Sequence, residues 1–414
     1  MRIISASDKR ALKRLLDRGE AHDPAFERRV RTIVDRVRVD GDRALLPLAK
    51  TFDGATPPLE VPLGEMRRQA LRVAPDVRLA LRRAAGHIAR VAAQQIPTHW
   101  DLEVSPGVSI EQRIEPIARV GCYVPGGRFP LPSSMLMTAV PARVAGVREI
   151  IAVCPRPEPV VMAAALEAGV TQLFRMGGAH AIAALAFGTA SVPRVDKIVG
   201  PGNRYVATAK ALVAKRCAID FYAGPTEIVI VAGPTDARRA AWIAADVVAQ
   251  AEHDPEARSI VITWSRGLAG RISQLVAGQA KGRDIVRRSL SAHGAIVVTR
   301  TADEAMALAN RIAPEHLVVD RESLIRRPLT AGAVFVGPYT AQAAGDYATG
   351  SNHVLPTSGA ARFRGGLSAA DFVRVMSVQR LTRGGLSGLR STIVPLARAE
   401  GLTAHAESIE IRLR

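Results

Sequence analysis

Two patterns in this chain have the residue types of a reaction centre. Glu315 and His316 are adjacent in NRIAPEHLVV, where a helical pattern gives way to a strand. Neighbours at such a junction point in different directions, so a carboxylate and an imidazole there can each handle a different proton near one reacting carbon. A helix-terminal ion or a solvated pair is the plainer use of the same residues. The second pattern is metal-like. Gln250 and His253 stand three apart at the end of an amphipathic stretch, about 236–253, and so share a helix face. Asp346 and His353 fall in a long glycine- and proline-studded loop, and His405 in GLTAHAES. Two imidazoles, a carboxylate and an amide oxygen suit zinc, and a weak amide ligand suits an ion that also takes a substrate. A lone helical Gln-x-x-His also serves as a surface or capping pair, and spacing alone does not bring 250, 346 and 405 together.

A third group offers close backbone approach. The chain has no GxGxxG turn, but Gly126 and Gly127 lie between an apolar strand and a helix that Ser133 or Ser134 would cap. Gly177–Gly178 and Gly200–Pro201–Gly202–Asn203 also follow apolar strands. Singly, each reads as a strand-to-helix connection. Together they mark the carboxyl edge of an open α/β sheet, where ligands bind and helix N-termini offer N–H groups to a pyrophosphate.

The elements that must carry these residues alternate. Residues 1 to about 120 show Arg, Ala and Leu at helical spacing, with an N-terminal helical segment over 1–20. Beyond them, short apolar runs (ARVGCYV, REIIAVC, TQLFRM, DKIVG) alternate with helical stretches, as βαβ units do. After TEIVIVAG a second series follows: RSIVITW, GAIVVTR, HLVVD and AGAVFVG. The fold expected is α/β: two Rossmann-like, incompletely doubly wound βα domains, the N-terminal helical segment, and a small C-terminal helical and extended segment ending in a strand, SIEIRLR.

Composition narrows the classes. At 414 residues the chain is long for one compact domain. The net charge of +18 invites a nucleic-acid reading, yet seven of the 56 basic residues are lysine, the rest arginine, and no run of five occurs. Aromatics at 4% leave a base-stacking platform poorly supplied. Cys122, Cys154 and Cys217 are far apart and lack CxxC spacing, which suggests a reducing compartment. With no signal-peptide pattern and no apolar run of membrane-spanning length, the expectation is a cytoplasmic protein.

The motifs GCYVPGG, VGPGNRYV, DFYAGPTEI, AQAEHDPEA, APEHLVV, GDYATGSNHVLPT and EGLTAH, in this order, resemble the histidinol dehydrogenase family from about residue 20 to the end. The resemblance implies oxidation of L-histidinol through L-histidinal to L-histidine, the last two steps of histidine biosynthesis, with two NAD⁺ reduced and one zinc per active site. It implies Gln250, His253, Asp346 and His405 as zinc ligands and Glu315 with His316 as the acid–base pair. Thr226, His353 and Glu400 would join Gln250, His253, His316, Asp346 and His405 around the substrate. Tyr123, His180 and Asn203 would contact NAD. It further implies a homodimer whose active sites are shared, Glu400 and His405 reaching into the partner. The expected division is 21–122 with 228–367 as the domain of the zinc and acid–base residues, 123–227 as the NAD side, and 368–414 as the crossing segment.

Arg128 and Phe129 replace small residues common after the paired glycines in that family, and His180 stands where glutamine is common. An arginine near a dinucleotide favours a 2′-phosphate, so NADP is the competing cofactor. The competing functions are a paralogue that oxidises another small polar alcohol with the same zinc and NAD chemistry, a basic nucleic-acid-binding protein, and a catalytically inactive homologue. Retention of Glu315, His316 and all four ligand positions speaks against the last.

Overall fold

The structure, a computed structural model, describes residues 1–17, 23–127, 129–221, 224–235 and 237–414. Among them, six parallel strands form the first sheet, in the order Arg2–Ser5, Ala295–Val298, Arg258–Thr263, Glu227–Ala232, His316–Val319, Ala333–Val336. The inner strands are near-continuous runs of Val and Ile because helices cover both faces. Ala237–Ala251, Arg266–Gln279 and Asp284–His293 pack on one face. Lys9–Leu16 and Ala302–Ile312 pack on the other.

The second sheet has five parallel strands, in the order Gln172–Phe174, Glu149–Val153, Arg119–Tyr123, Lys197–Val199, Ala218–Ile219. One face is covered by Pro75–Gln94, Pro132–Val144 and Pro159–Ala168. The other is covered by Pro24–Asp40, Asp42–Asp53, Gly178–Phe187 and Arg204–Val213. Both sheets and their helices give the expected α/β class.

The packing divides the chain differently from the expected boundaries. Residues 2–5 are a strand, paired with Ala295–Val298, and extend the first sheet rather than opening a helical segment. The helices within 24–94 belong with the second sheet, not with 228–367. Their apolar stripes show why: Phe26, Val30, Val34 and Val37 recur at helical spacing and belong to one apolar cluster with Ile151, Val153 and Phe174. Val354, Leu367, Ala369 and Phe372 also join the second sheet's core.

Trp100–Ser105, Val108–Pro116 and Val373–Leu381 form a three-stranded antiparallel sheet, continued by the helices Arg383–Ala399 and Thr403–Glu410. SIEIRLR is therefore helix and turn, not strand. Ala406 and Ile409, three apart, close on Val394 and Ala397, and a helical period wins over the alternation of SIEI. The expected loop after residue 337 likewise contains a helix, Gln342–Tyr347. Helix Pro132–Val144 starts with Pro132 and takes no cap from Ser133 or Ser134.

Candidate active site

Glu315 and His316 open the strand His316–Val319, and Thr226 precedes the neighbouring strand Glu227–Ala232, so both contributions stand at the amino edge of the first sheet. Two helices return to that edge. Ala237–Ala251 brings Gln250, and Gln342–Tyr347 brings Gln342 and Asp346. Gly332 allows the tight approach, since a Cβ there would come within 2.7 Å of the Glu315 carbonyl oxygen.

A chain of hydrogen bonds connects these residues. Gln250 Nε2 donates to Thr226 Oγ1 at 2.7 Å, and Thr226 Oγ1 donates to Glu315 Oε2 at 2.6 Å. The Glu227 backbone N–H donates to the same carboxyl oxygen at 2.9 Å. His316 Nδ1 donates to the Glu227 carbonyl at 3.2 Å, which leaves Nε2 as an acceptor for Gln342 Nε2 at 3.2 Å. That tautomer is assigned from its partners. Gln342 Nε2 also donates to Asp346 Oδ2 at 2.9 Å. His353 Nδ1 donates to the Asp346 carbonyl at 3.1 Å, and its Nε2 faces Ser134 Oγ at 3.5 Å.

Burial sets the protonation states. It pushes the Glu315 carboxyl up to about 8, against the lowering pull of Thr226 and the Glu227 N–H. Burial also lowers the pKa of His316 and of His353, so each favours the neutral imidazole. The buried pair is thus a protonated carboxyl and a neutral base near pH 7. Gln250 Oε1 is buried without a hydrogen-bond partner, an orphaned acceptor.

The turn that carries Asp346 and His353 is anchored on the other sheet's helices. His87 Nδ1 donates to the Ala348 carbonyl at 2.6 Å, and Asn352 Nδ2 donates to the Met137 carbonyl at 2.7 Å. Gly350 has φ +93°, and a Cβ there would lie 2.6 Å from the His87 carbonyl oxygen. The network therefore spans both sheet units.

On the second sheet, the glycine turns follow its carboxyl edge, on either side of the point between Arg119–Tyr123 and Lys197–Val199 where strand order reverses. Tyr123 is buried there, and its hydroxyl accepts from the Gly178 N–H at 3.1 Å. His180 is buried, with Nε2 at 2.8 Å from Asp53 Oδ2. Asn203 caps helix Arg204–Val213, its side chain accepting from the Tyr205 and Val206 N–H groups. Arg128 lies outside the described residues, and Phe129 is exposed.

Thr226, Gln250, Glu315, His316, Asp346 and His353 are thus brought together. His253 follows the helix end and is exposed, within electrostatic reach of His353. Glu400 and His405 are exposed on the C-terminal helices and join none of these hydrogen bonds. Among the described residues, no group of three or more His, Cys, Asp or Glu within one chain could hold a metal ion. Sequence reasoning missed Gln342, Glu227, Asp53 and His87. Gln342 had a signal, its i, i+4 spacing from Asp346; the others depend on contacts far apart in sequence.

Two parallel α/β units, with a buried carboxyl–imidazole pair at one sheet's edge and glycine turns at the other's, define an α/β protein with the site of an enzyme. The family model for histidinol dehydrogenase matches residues 16–413. A histidinol dehydrogenase of Methanothermobacter thermautotrophicus is 43% identical over 99% of this chain and 99% of its own length. One from Geobacter sulfurreducens is 44% identical over 97% and 96%. The crystal structure of histidinol dehydrogenase from Elizabethkingia anophelis superposes with a TM-score of 0.94 at 31% identity, covering 100% of this chain and 98% of that one. The chain belongs to the histidinol dehydrogenase family, and it is an oxidoreductase.

Proposed function

We propose that the protein oxidises L-histidinol through L-histidinal to L-histidine, the last two steps of histidine biosynthesis, with NAD as electron acceptor and zinc in the site. The observation that carries this reading is the hydrogen-bonded series from Gln250 through Thr226, Glu315 and His316 to Asp346, in which two proton-handling groups adjoin an orphaned amide oxygen.

The residues fit both groups. The unpartnered Oε1 of Gln250, the Asp346 carboxylate and the His253 imidazole are the donor types zinc takes, and His405 would complete the set from a second copy of the chain. Zinc supplies Lewis acidity that holds and polarises a substrate bearing an imidazole and an amine. On the other side, a Cβ at Gly177 would sit 2.9 Å from the Pro155 ring, and one at Gly200 would run into the Tyr123 carbonyl, so the backbone itself forms the surface there. NAD supplies the hydride acceptor, with Tyr123, His180 and Asn203 on its side.

The chain's own work is proton transfer. His316, kept neutral by burial and oriented through Nδ1, takes the alcohol proton at Nε2 once Gln342 yields that atom. Glu315, once ionised, is a stronger base than an ordinary carboxylate and draws a proton from water as it adds to the aldehyde. Thr226 and the Glu227 N–H hold its carboxyl in place. His353 and Glu400 would bind the substrate's polar ends. A thioester route is disfavoured: Cys122, Cys154 and Cys217 are buried, and burial pushes each thiol up to about 12. Their burial as free thiols also supports a cytoplasmic setting. No described helix is long and apolar enough to cross a membrane.

The homodimer is part of this reading, supported by the exposure of Glu400 and His405 away from the network. Purified protein given L-histidinol and NAD⁺ is expected to form reduced nicotinamide and histidine, and to lose turnover on chelation. Turnover of another small alcohol without turnover of histidinol overturns the substrate assignment.

A further inference from the structure

The cofactor side holds a buried carboxylate that the proton chemistry does not use. Asp53 ends helix Asp42–Asp53, and its side chain is 7% exposed. Its Oδ2 accepts from the Gly177 N–H at 3.0 Å and lies 2.8 Å from His180 Nε2. The next amide, Gly178 N–H, is taken by the Tyr123 hydroxyl. The N–H of Gly177, which precedes helix Gly178–Phe187, is therefore taken by an anion and that of its first residue, Gly178, by a hydroxyl, so neither is open to a phosphate. The His180 ring is fixed by the same bond and by stacking on Phe52, with centroids 5.9 Å apart. Asp53 Oδ1 makes no hydrogen bond among the described residues.

A carboxylate anchored through one oxygen, with the other unengaged, accepts a hydrogen bond from a hydroxyl and repels a phosphate. Dinucleotide sites use an acidic residue in this way to bind the 2′-hydroxyl of NAD, and an arginine to accept the 2′-phosphate of NADP. We infer that Asp53 is the specificity-determining residue for the dinucleotide: it accepts a hydrogen bond from the ribose of NAD and excludes the 2′-phosphate of NADP. His180 serves as the brace that holds Asp53, through the contact of its Nε2 with Asp53 Oδ2 at 2.8 Å. The inference rests on the reading of Tyr123, His180 and Asn203 as the cofactor side.

Titration calorimetry of the purified protein with NAD⁺ and with NADP⁺, independent of turnover, tests it. The wild-type protein is expected to bind NAD⁺ more tightly by about tenfold or more, the scale of one hydrogen bond to a charged group. Asp53→Asn keeps the shape and removes the charge, and is expected to narrow that ratio by about tenfold, with NADP⁺ gaining affinity and NAD⁺ losing it. An unchanged ratio in a folded Asp53→Asn protein, with only a lower melting temperature, reduces Asp53 to a helix cap and overturns the inference. Should that variant not fold, the wild-type ratio still decides, since equal affinity for the two nucleotides is incompatible with the role. Binding of neither nucleotide overturns the cofactor-side reading itself; NAD⁺ binding with an unchanged ratio overturns only the role of Asp53.

Discussion

Glu315 works under opposed demands. Its buried carboxyl is pushed up to about 8, so it is held neutral where an exposed glutamate would be ionised. Its folded-state pKa lies above the 4.5 of a free glutamate, so its contribution to stability is fully present below about pH 4.5 and is lost as pH rises through about 8. Glu315→Gln cannot ionise. Its melting temperature relative to wild type is therefore expected to climb between pH 5 and pH 9, and a constant difference across that range would remove the buried-carboxyl argument. Thr226 is the hinge of the hydrogen-bond series, accepting from Gln250 and donating to Glu315. Thr226→Val leaves one buried donor and one buried acceptor short, at a cost of about 1–3 kcal/mol each, measurable by urea unfolding. The adjacency of Glu315 and His316, and the types of Gln250, Asp346 and His353, were legible in the sequence. Their connection was not, because Thr226 and Glu227 meet Glu315 across nearly ninety positions through parallel strand pairing.

At the scale of elements, the site depends on helices that run back from the carboxyl edge of the first sheet to its amino edge, and on a turn fastened to the opposite unit. The alternating apolar runs made both sheets readable. What they could not show was that the helices within 24–94 cover the second sheet, because an amphipathic stripe specifies burial and not the surface it meets. That placement puts His87 against the turn after Asp346. Gly350→Ala adds a Cβ at a positive φ and 2.6 Å from the His87 carbonyl, so it must displace the turn. It is expected to lower kcat by about tenfold to a hundredfold, the range in which small misplacements act, with the KM for NAD⁺ unchanged. A parallel rise in that KM would mean that the turn also shapes the cofactor side.

At the scale of the molecule, the two C-terminal helices pack on each other, Arg383–Ala399 also meets strand Val373–Leu381, and Glu400 and His405 are exposed at this end of the chain. Leu102, Val375, Met376, Leu396 and Ile411 are exposed on the same portion of the chain. A shared site gives a specific result on mixing. His316→Asn and His405→Asn proteins, each inactive alone, are expected to regain activity after joint unfolding and refolding, because a mixed dimer holds one intact site. No recovery would place both residues in the site of a single chain. The charge of +18 has a smaller part: spread as arginine over the whole length, it can attract an anionic cofactor at long range without specifying a nucleic acid. The central claim is that one site carries an alcohol through to an acid, and the stoichiometry of reduced nicotinamide to product tests it most directly. Two NADH formed for each histidine, with no free aldehyde trapped, is the predicted result. One NADH for each histidinol consumed, with histidinal accumulating, would contradict it.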